Sequence, residues 1–177
     1  MLKLILFGAC EKAIIADDNL ASLISLMERI NVVTESKIPP DAVAPMNWTA
    51  FSYWTSADGS KAKEPIYCRV DIVNPKGEVP LTSGERVLKL PPAVNQRVKF
   101  DFNGFPIGNA GLHQIKLFYK STFSDDWAQV GEYPIEVRYL KKGEEDEVKN
   151  QPKRIAPIHS VSKLLGTGKK NRKRSKK

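Results

Sequence analysis

The sequence is short of the residues that carry chemistry. Two of its 177 side chains are histidine and two are cysteine. No Gly-x-Ser-x-Gly, phosphate-binding glycine loop, His-Glu-x-x-His or Cys-x-x-Cys occurs, so the signatures of serine hydrolases, nucleotide-binding loops, zinc proteases and dithiol centres are all missing. Cys10 and Cys68 stand far apart with no histidine between them to complete a ligand set. The chain therefore reads as a non-enzyme, with no catalytic residue, no metal and no cofactor expected.

Long apolar runs are missing too. Nothing approaches the roughly 18 consecutive apolar residues of a membrane span, so no span is expected. The opening segment, ending Phe7-Gly8-Ala9-Cys10, imitates a lipoprotein signal, but its apolar stretch of residues 4–7 falls short of the roughly 7 to 15 residues of a secretory signal. A cytoplasmic location follows as the expectation, with Cys10 and Cys68 as reduced, buried thiols rather than a bridge. Without a secretory route, the sequon Asn47-Trp48-Thr49 carries no meaning.

Net charge is lacking over most of the chain. The formal +8 is an average of two unlike parts: residues 1–140 hold 15 basic and 16 acidic side chains, whereas residues 141–177 hold 13 basic and 4 acidic ones. The first part is long enough to bury a core. The second, rich in Pro, Ser, Gly and Lys and without an aromatic residue, cannot bury enough apolar surface to offset its ordering entropy, so a disordered tail is expected. Within it, Ile158, Val161, Leu164 and Leu165 follow Pro157 at helical spacing, a segment too short to persist as a helix in water.

What the first part does have is period-2 alternation. Ile66, Cys68, Val70 and Ile72 alternate with Tyr67, Arg69 and Asp71 before Asn74-Pro75-Lys76-Gly77, a tight-turn sequence. Val98, Phe100 and Phe102 form a second set, His113, Ile115, Leu117 and Tyr119 a third, and Ile135, Val137 and Tyr139 a fourth. Further strands are expected at 2–16, 46–54, 86–90 and 127–130, which brings the count to about eight. With twelve prolines and no convincing long amphipathic helix, the fold class is all-β, an antiparallel β-sandwich. Residues 20–33 fit either a helix face of Leu20, Leu23, Ile24, Met27 and Ile30 or a strand paired back across Asp17-Asp18-Asn19; the turn signal favours the hairpin.

Three phrases carry a resemblance. They are Leu4-Ile5-Leu6-Phe7-Gly8-Ala9-Cys10-Glu11-Lys12, the strand and turn at residues 70–78, and the ending in which Gly111-Leu112-His113-Gln114-Ile115 precedes Glu132-Tyr133-Pro134-Ile135-Glu136-Val137. In strand order and wording these resemble an uncharacterised family of small bacterial, immunoglobulin-like β-sandwich proteins, with His113 where an aromatic residue is usual. The resemblance covers residues 1 to about 140, implies the sandwich fold, and transfers no catalytic residue. The immunoglobulin disulfide is not implied, because Tyr67 adjoins Cys68 instead of standing two positions before it.

Candidate sites are few. His113 sits on the apolar side of its strand, where a core imidazole is expected, and His159 lies in the tail. Asp17-Asp18 and Asp125-Asp126 read as turn carboxylates bonded to nearby amides rather than as calcium ligands or a glycosidase pair. The aromatic strand around Trp48, Phe51, Tyr53 and Trp54 places rings on both faces. With Trp48 and Trp54 inward, Phe51 and Tyr53 form a candidate platform for a partner, unless another element covers them.

The strongest signal is the tail. Residues 153–177 contain ten basic and no acidic side chains, concentrated in Lys169, Lys170, Arg172, Lys173, Arg174, Lys176 and Lys177. Such a run attracts polyanions without sequence preference, and it has no ring to stack a base. Two functions follow as expectations. One is a sandwich interaction module for an unknown protein partner, its tail adding electrostatic attachment. The alternative is an accessory protein held non-specifically on DNA or RNA by the tail.

Overall fold

The computed structural model describes residues 2–16, 20–56, 66–88, 95–121 and 126–143, and in these the alternating stretches form ten β-strands. They are β1 (Leu2–Ile15), β2 (Ala21–Leu26), β3 (Arg29–Val33), β4 (Val43–Ser56), β5 (Ile66–Val73), β6 (Leu81–Thr82), β7 (Arg86–Leu88), β8 (Asn95–Pro106), β9 (Gly111–Lys120) and β10 (Ala128–Leu140). All belong to one unit, Met1–Glu145. Residues 144–177, and with them the basic cluster and His159, lie outside the described residues, as do Asp17-Asp18 and Asp125.

Two sheets face one another. One has the order β2-β1-β4-β8, and the other β3-β10-β9-β5-β6, with β7 also paired to β5. The hydrophobic parity of each strand explains the layering, because every inward set finds the opposite sheet. Trp48, Ala50 and Trp54 of β4 and Phe100, Phe102 and Phe105 of β8 meet Cys68, Val70 and Ile72 of β5, Ile115 and Leu117 of β9, and Ile135 and Val137 of β10. Each such large side chain removed from water contributes about 1.5–3 kcal/mol. Trp48 stacks on Phe102 at 4.3 Å between ring centroids. The two indoles are buried with their polar edges satisfied: Trp48 Nε1 donates to the Gly104 carbonyl and Trp54 Nε1 to Ser52 Oγ, each at 2.9 Å.

The turn expected after β5 is present. Gly77 takes φ +85°, and Asn74 Oδ1 accepts from the amides of Lys76 and Glu78 at 2.9 and 3.0 Å, so the asparagine side chain holds the loop closed.

Three features differ from the sequence-based expectation. Residues 20–33 form not one strand but two, in different sheets. β2 pairs antiparallel with β1; the chain then crosses at Met27, which is buried in the core, and β3 pairs parallel with β10, Val137 opposite Ile30. The sandwich is therefore antiparallel except at this seam. Ser25, just before the crossing, has φ +53°, a local kink in the edge strand. Of residues 127–130 and 135–139, expected as separate strands, all but Trp127 fall on the single strand β10, whose register shifts between Gln129 and Gly131; this bulge interrupts the alternation that the sequence shows. The short β6 carries too few residues to display a period.

Candidate interaction surface

The two residues of the candidate partner platform, Phe51 and Tyr53, differ in exposure. Trp48 and Trp54 do point into the core, so Phe51 and Tyr53 lie on the outer parity of β4, yet Phe51 is only 2% exposed. It is packed with Cys10 and Ala13 in a second, smaller apolar cluster, with Leu23 and Tyr53 against it. The cause is register. Gly8 lies opposite Phe51 and Cys10 opposite Thr49, and the ring packs on the side chains of Cys10 and Ala13 from β1 and Leu23 from β2. Tyr53 is half-buried, with the Arg97 guanidinium 5.0 Å from its ring centroid. Phe51 is thus covered, whereas Tyr53 keeps part of its ring at the surface.

The chemistry-bearing side chains are enclosed. His113 is 1% exposed. Its Nδ1 lies 3.3 Å from the Gly111 carbonyl oxygen, to which it donates, and its Nε2 has no partner. Burial lowers its pKa against the smaller opposing effect of that carbonyl. Both cysteines are free and buried. Burial drives the Cys68 thiol up to about 12 and also raises Cys10, whose Sγ donates to the Thr49 carbonyl at 3.6 Å. Among the described residues no three His, Cys, Asp or Glu side chains gather as a metal site.

Sequence reasoning missed a cation–aromatic layer on the outer face of the six-stranded sheet. The Arg69 guanidinium lies 4.6 Å from the Trp127 ring centroid and 5.4 Å from that of Phe118, and the Lys120 ammonium lies 4.4 Å from Trp127 and 5.7 Å from Tyr67. Carboxylates complete it: Asp71 is 3.3 Å from Arg69 and Glu85 is 3.4 Å from Lys120. The outward parity of Tyr67, Arg69 and Asp71 against that of Phe118 and Lys120 was visible in the sequence, but not that the two strands are neighbours. Because each cation already meets rings and a carboxylate, this layer covers the sheet rather than offering uncompensated charge to an anion.

A groove of about 520 Å³ opens at one end, lined among others by Pro40, Val43, Pro80, Leu81 and Pro106. Its polar contributions are Asp41 and Asn103, without a nucleophile or base pair, so it offers shape and little chemistry.

The most unusual surface is the β1–β2 hairpin. Ile14 and Ile15 at the end of β1, Leu20 between the strands, and Ile24 and Leu26 on β2 are all exposed, Leu20 by 66%, Ile24 by 43% and Leu26 by 56%. Ile24 lies opposite Lys12 and Leu26 opposite Cys10. The sequence displayed these residues as apolar. It did not show that β2 would end up at an edge.

No protein-family model matches the chain, and no curated protein matches it. Several solved structures are similar. An immunoglobulin-like protein from Pseudomonas aeruginosa shares 11% identity, with 78% of this chain and 97% of that one covered and a TM-score of 0.37. An alkylpurine DNA glycosylase from Pseudomonas fluorescens, bound to DNA containing an abasic site analog, shares 12% identity over 77% of this chain at a TM-score of 0.37. A Listeria innocua β-glucosidase in complex with gluconolactone shares 14% over 76% at 0.36. The chain spans 30% of the glycosylase and 16% of the glucosidase. At these identities and TM-scores the likeness carries no role over to this chain, and the β-sandwich is read from its own two facing sheets.

Proposed function

We propose that this chain is a non-enzymatic interaction module of the cytoplasm, akin to the small bacterial sandwich proteins that its local phrases resemble. It recognises a protein partner through an edge of the sandwich, and its cationic C-terminal segment adds electrostatic attachment. The observation that carries this reading is the row of apolar side chains left in water on the β1–β2 hairpin, Ile14, Ile15, Leu20, Ile24 and Leu26. Soluble chains keep such patches small unless something docks on them. The enclosure of His113 and both thiols supports the non-enzymatic part. Affinity capture with the full chain and with a chain ending at residue 152 tests it: a partner retained by both and lost on Ile24→Lys is expected, and recovery of no partner by either, from a lysate or from a concentrated solution of the chain itself, counts against it.

A second reading rests on charge. Ten basic and no acidic side chains in residues 153–177 favour a nucleic-acid accessory role in which this segment holds the protein on DNA or RNA. If about 6 to 10 phosphates are neutralised, affinity falls by roughly 10³ to 10⁵ between 50 and 200 mM salt. Deleting residues 153–177 should abolish binding to random duplex and single strands. Binding unchanged by the deletion, or absent from the full chain, ends this reading.

A further inference from the structure

We infer that the partner of the β2 edge is a second copy of this chain, the two β2 strands pairing antiparallel about a two-fold axis normal to the sheet. The inference rests on the interaction-module reading and names its partner. It follows from the edge itself, from the side chains that self-pairing would oppose, and from the charge of the folded part.

β2 is the terminal strand of its sheet, and its sequence, Ala21-Ser22-Leu23-Ile24-Ser25-Leu26, contains no charge, no proline and no glycine. Edge strands are ordinarily protected against pairing by such residues. The other described edges are protected in that way or are short: β8 carries Arg97, Lys99 and Asp101, β3 begins with Arg29, β7 with Arg86, and β6 has two residues. Among the described strands, β2 is the edge without a deterrent.

A self-pairing strand must also tolerate its own copy. A two-fold axis normal to the sheet keeps each face on its own side, so residues of one parity meet residues of the same parity. On β2 every side chain, Ala21-Ser22-Leu23-Ile24-Ser25-Leu26, is apolar or a hydroxyl, so the copy is tolerated on either side of the break in alternation at Ser25. Every symmetric register thus opposes apolar or hydroxyl side chains to one another and never charge to like charge. Nor do the folded parts repel at longer range, since residues 1–140 hold 15 basic and 16 acidic side chains. Such an interface is isologous, and it closes at two copies because each chain uses its single β2 edge once.

The strand is short, and Ser25 kinks it at φ +53°. The contact therefore buries on the order of 1,000 Å², the low end for specific association, and dimerisation in the range of about 10–100 µM is expected. The C-terminal segments, net +9 over residues 141–177, oppose the approach of two copies at low ionic strength. Added salt should strengthen this dimer, whereas it weakens attachment to a polyanion.

Sedimentation equilibrium of the full chain from about 2 to 200 µM, at roughly 20 and 300 mM salt, tests the inference across the expected affinity and the screening range. A monomer–dimer equilibrium that tightens with salt is expected. Ile24→Lys should weaken it at least tenfold, and so should Ser22→Lys, which adds charge at an exposed position without removing an apolar contact. Leu112→Lys, an exposed apolar position on β9, should leave the dimer within twofold of wild type. Circular dichroism before each run confirms folding. A wild-type monomer throughout, a dimer that salt weakens, or a dimer indifferent to both β2 substitutions overturns the inference. The affinity capture above separates the two failures: a monomer that still loses a captured partner on Ile24→Lys refutes self-pairing and leaves the module standing, and a monomer that captures nothing refutes both.

Discussion

His113 gives the sharpest test of how the interior is built. It is buried beside Phe105, whose ring lies 5.6 Å away in an edge contact, and it keeps one bond, from Nδ1 to the Gly111 carbonyl. No carboxylate among the described residues bonds to the ring to stabilise an imidazolium, so burial depresses the folded-state pKa below the ordinary 6.5. The sign follows from proton counting. Above pH 6.5 both folded and unfolded chains hold the neutral ring, and the group contributes no pH dependence. As pH falls through 6.5 towards the folded-state value, the unfolded chain takes up a proton that the folded chain refuses, so stability drops. One proton sets the limit, about 1.4 kcal/mol per pH unit. Urea unfolding followed by tryptophan fluorescence at about pH 7.5, 6.5 and 5.5 reads this directly, because carboxylates titrate mainly below the window. The wild type should lose up to about 1 kcal/mol between pH 6.5 and 5.5, because the unfolded ring is already half protonated at 6.5, with little change above. His113→Leu should abolish that loss. At about pH 7.5 it should change stability by less than about 1.5 kcal/mol, since a similar volume is kept and the unpartnered Nε2 is removed along with one bond. Wild-type stability that is flat or rising as pH falls from about 6.5, or a loss that persists in His113→Leu, would refute the reasoning.

Other expectations follow from the same packing. Gly108→Ala would drive a Cβ into the Pro40 carbonyl and place it 2.8 Å from the Pro39 carbonyl oxygen. The segment cannot retreat easily, because the Ile107 amide donates to the Ala42 carbonyl at 2.9 Å and the Tyr139 hydroxyl donates to the Ile107 carbonyl. A loss of about 1–3 kcal/mol is expected, and an unchanged thermal midpoint would contradict it. Phe51→Ala should cost about 3–5 kcal/mol in urea unfolding, whereas a ring standing free on the surface would cost within about 0.5 kcal/mol. The Cys68 thiol, pushed up to about 12, should resist an aromatic disulfide reagent at about pH 8 until urea is added; native-state labelling at the unfolded rate would show that the site is open.

The inward half of the sandwich was legible because each strand there is buried on one side and alternation records that fact locally. Ile66, Cys68, Val70 and Ile72 on β5 and His113, Ile115 and Leu117 on β9 are all buried as their parity implies. Even His113 was placed by parity alone. Sheet membership was not legible, because periodicity does not mark which sheet a strand joins. Residues 20–33 show apolar content throughout, and only the crossing at Met27, fixed by its amide donating to the Ala9 carbonyl at 2.9 Å, divides β2 from β3.

The outer surface was harder to read, for a physical reason that separates its two halves. Whether an outward side chain is covered depends on the neighbours that register sets beside it. Phe51 is covered because Cys10 and Ala13 of β1 and Leu23 of β2 pack on it, residues whose meaning appears only once β1 is paired with β4 and β2. β2 is the converse. Its Leu23, Ile24 and Leu26 carry the same apolar content as a core strand, and had another strand followed beside it that content would have been buried within the chain. Instead β2 is the last strand of its sheet, and Ile24 and Leu26 remain in water. Apolar content that alternation assigns to a strand, and that the fold then fails to bury, marks the place where the chain's own core runs out. The backbone groups along that edge have the same unmet requirement as the side chains, and a second β2 strand meets both at once.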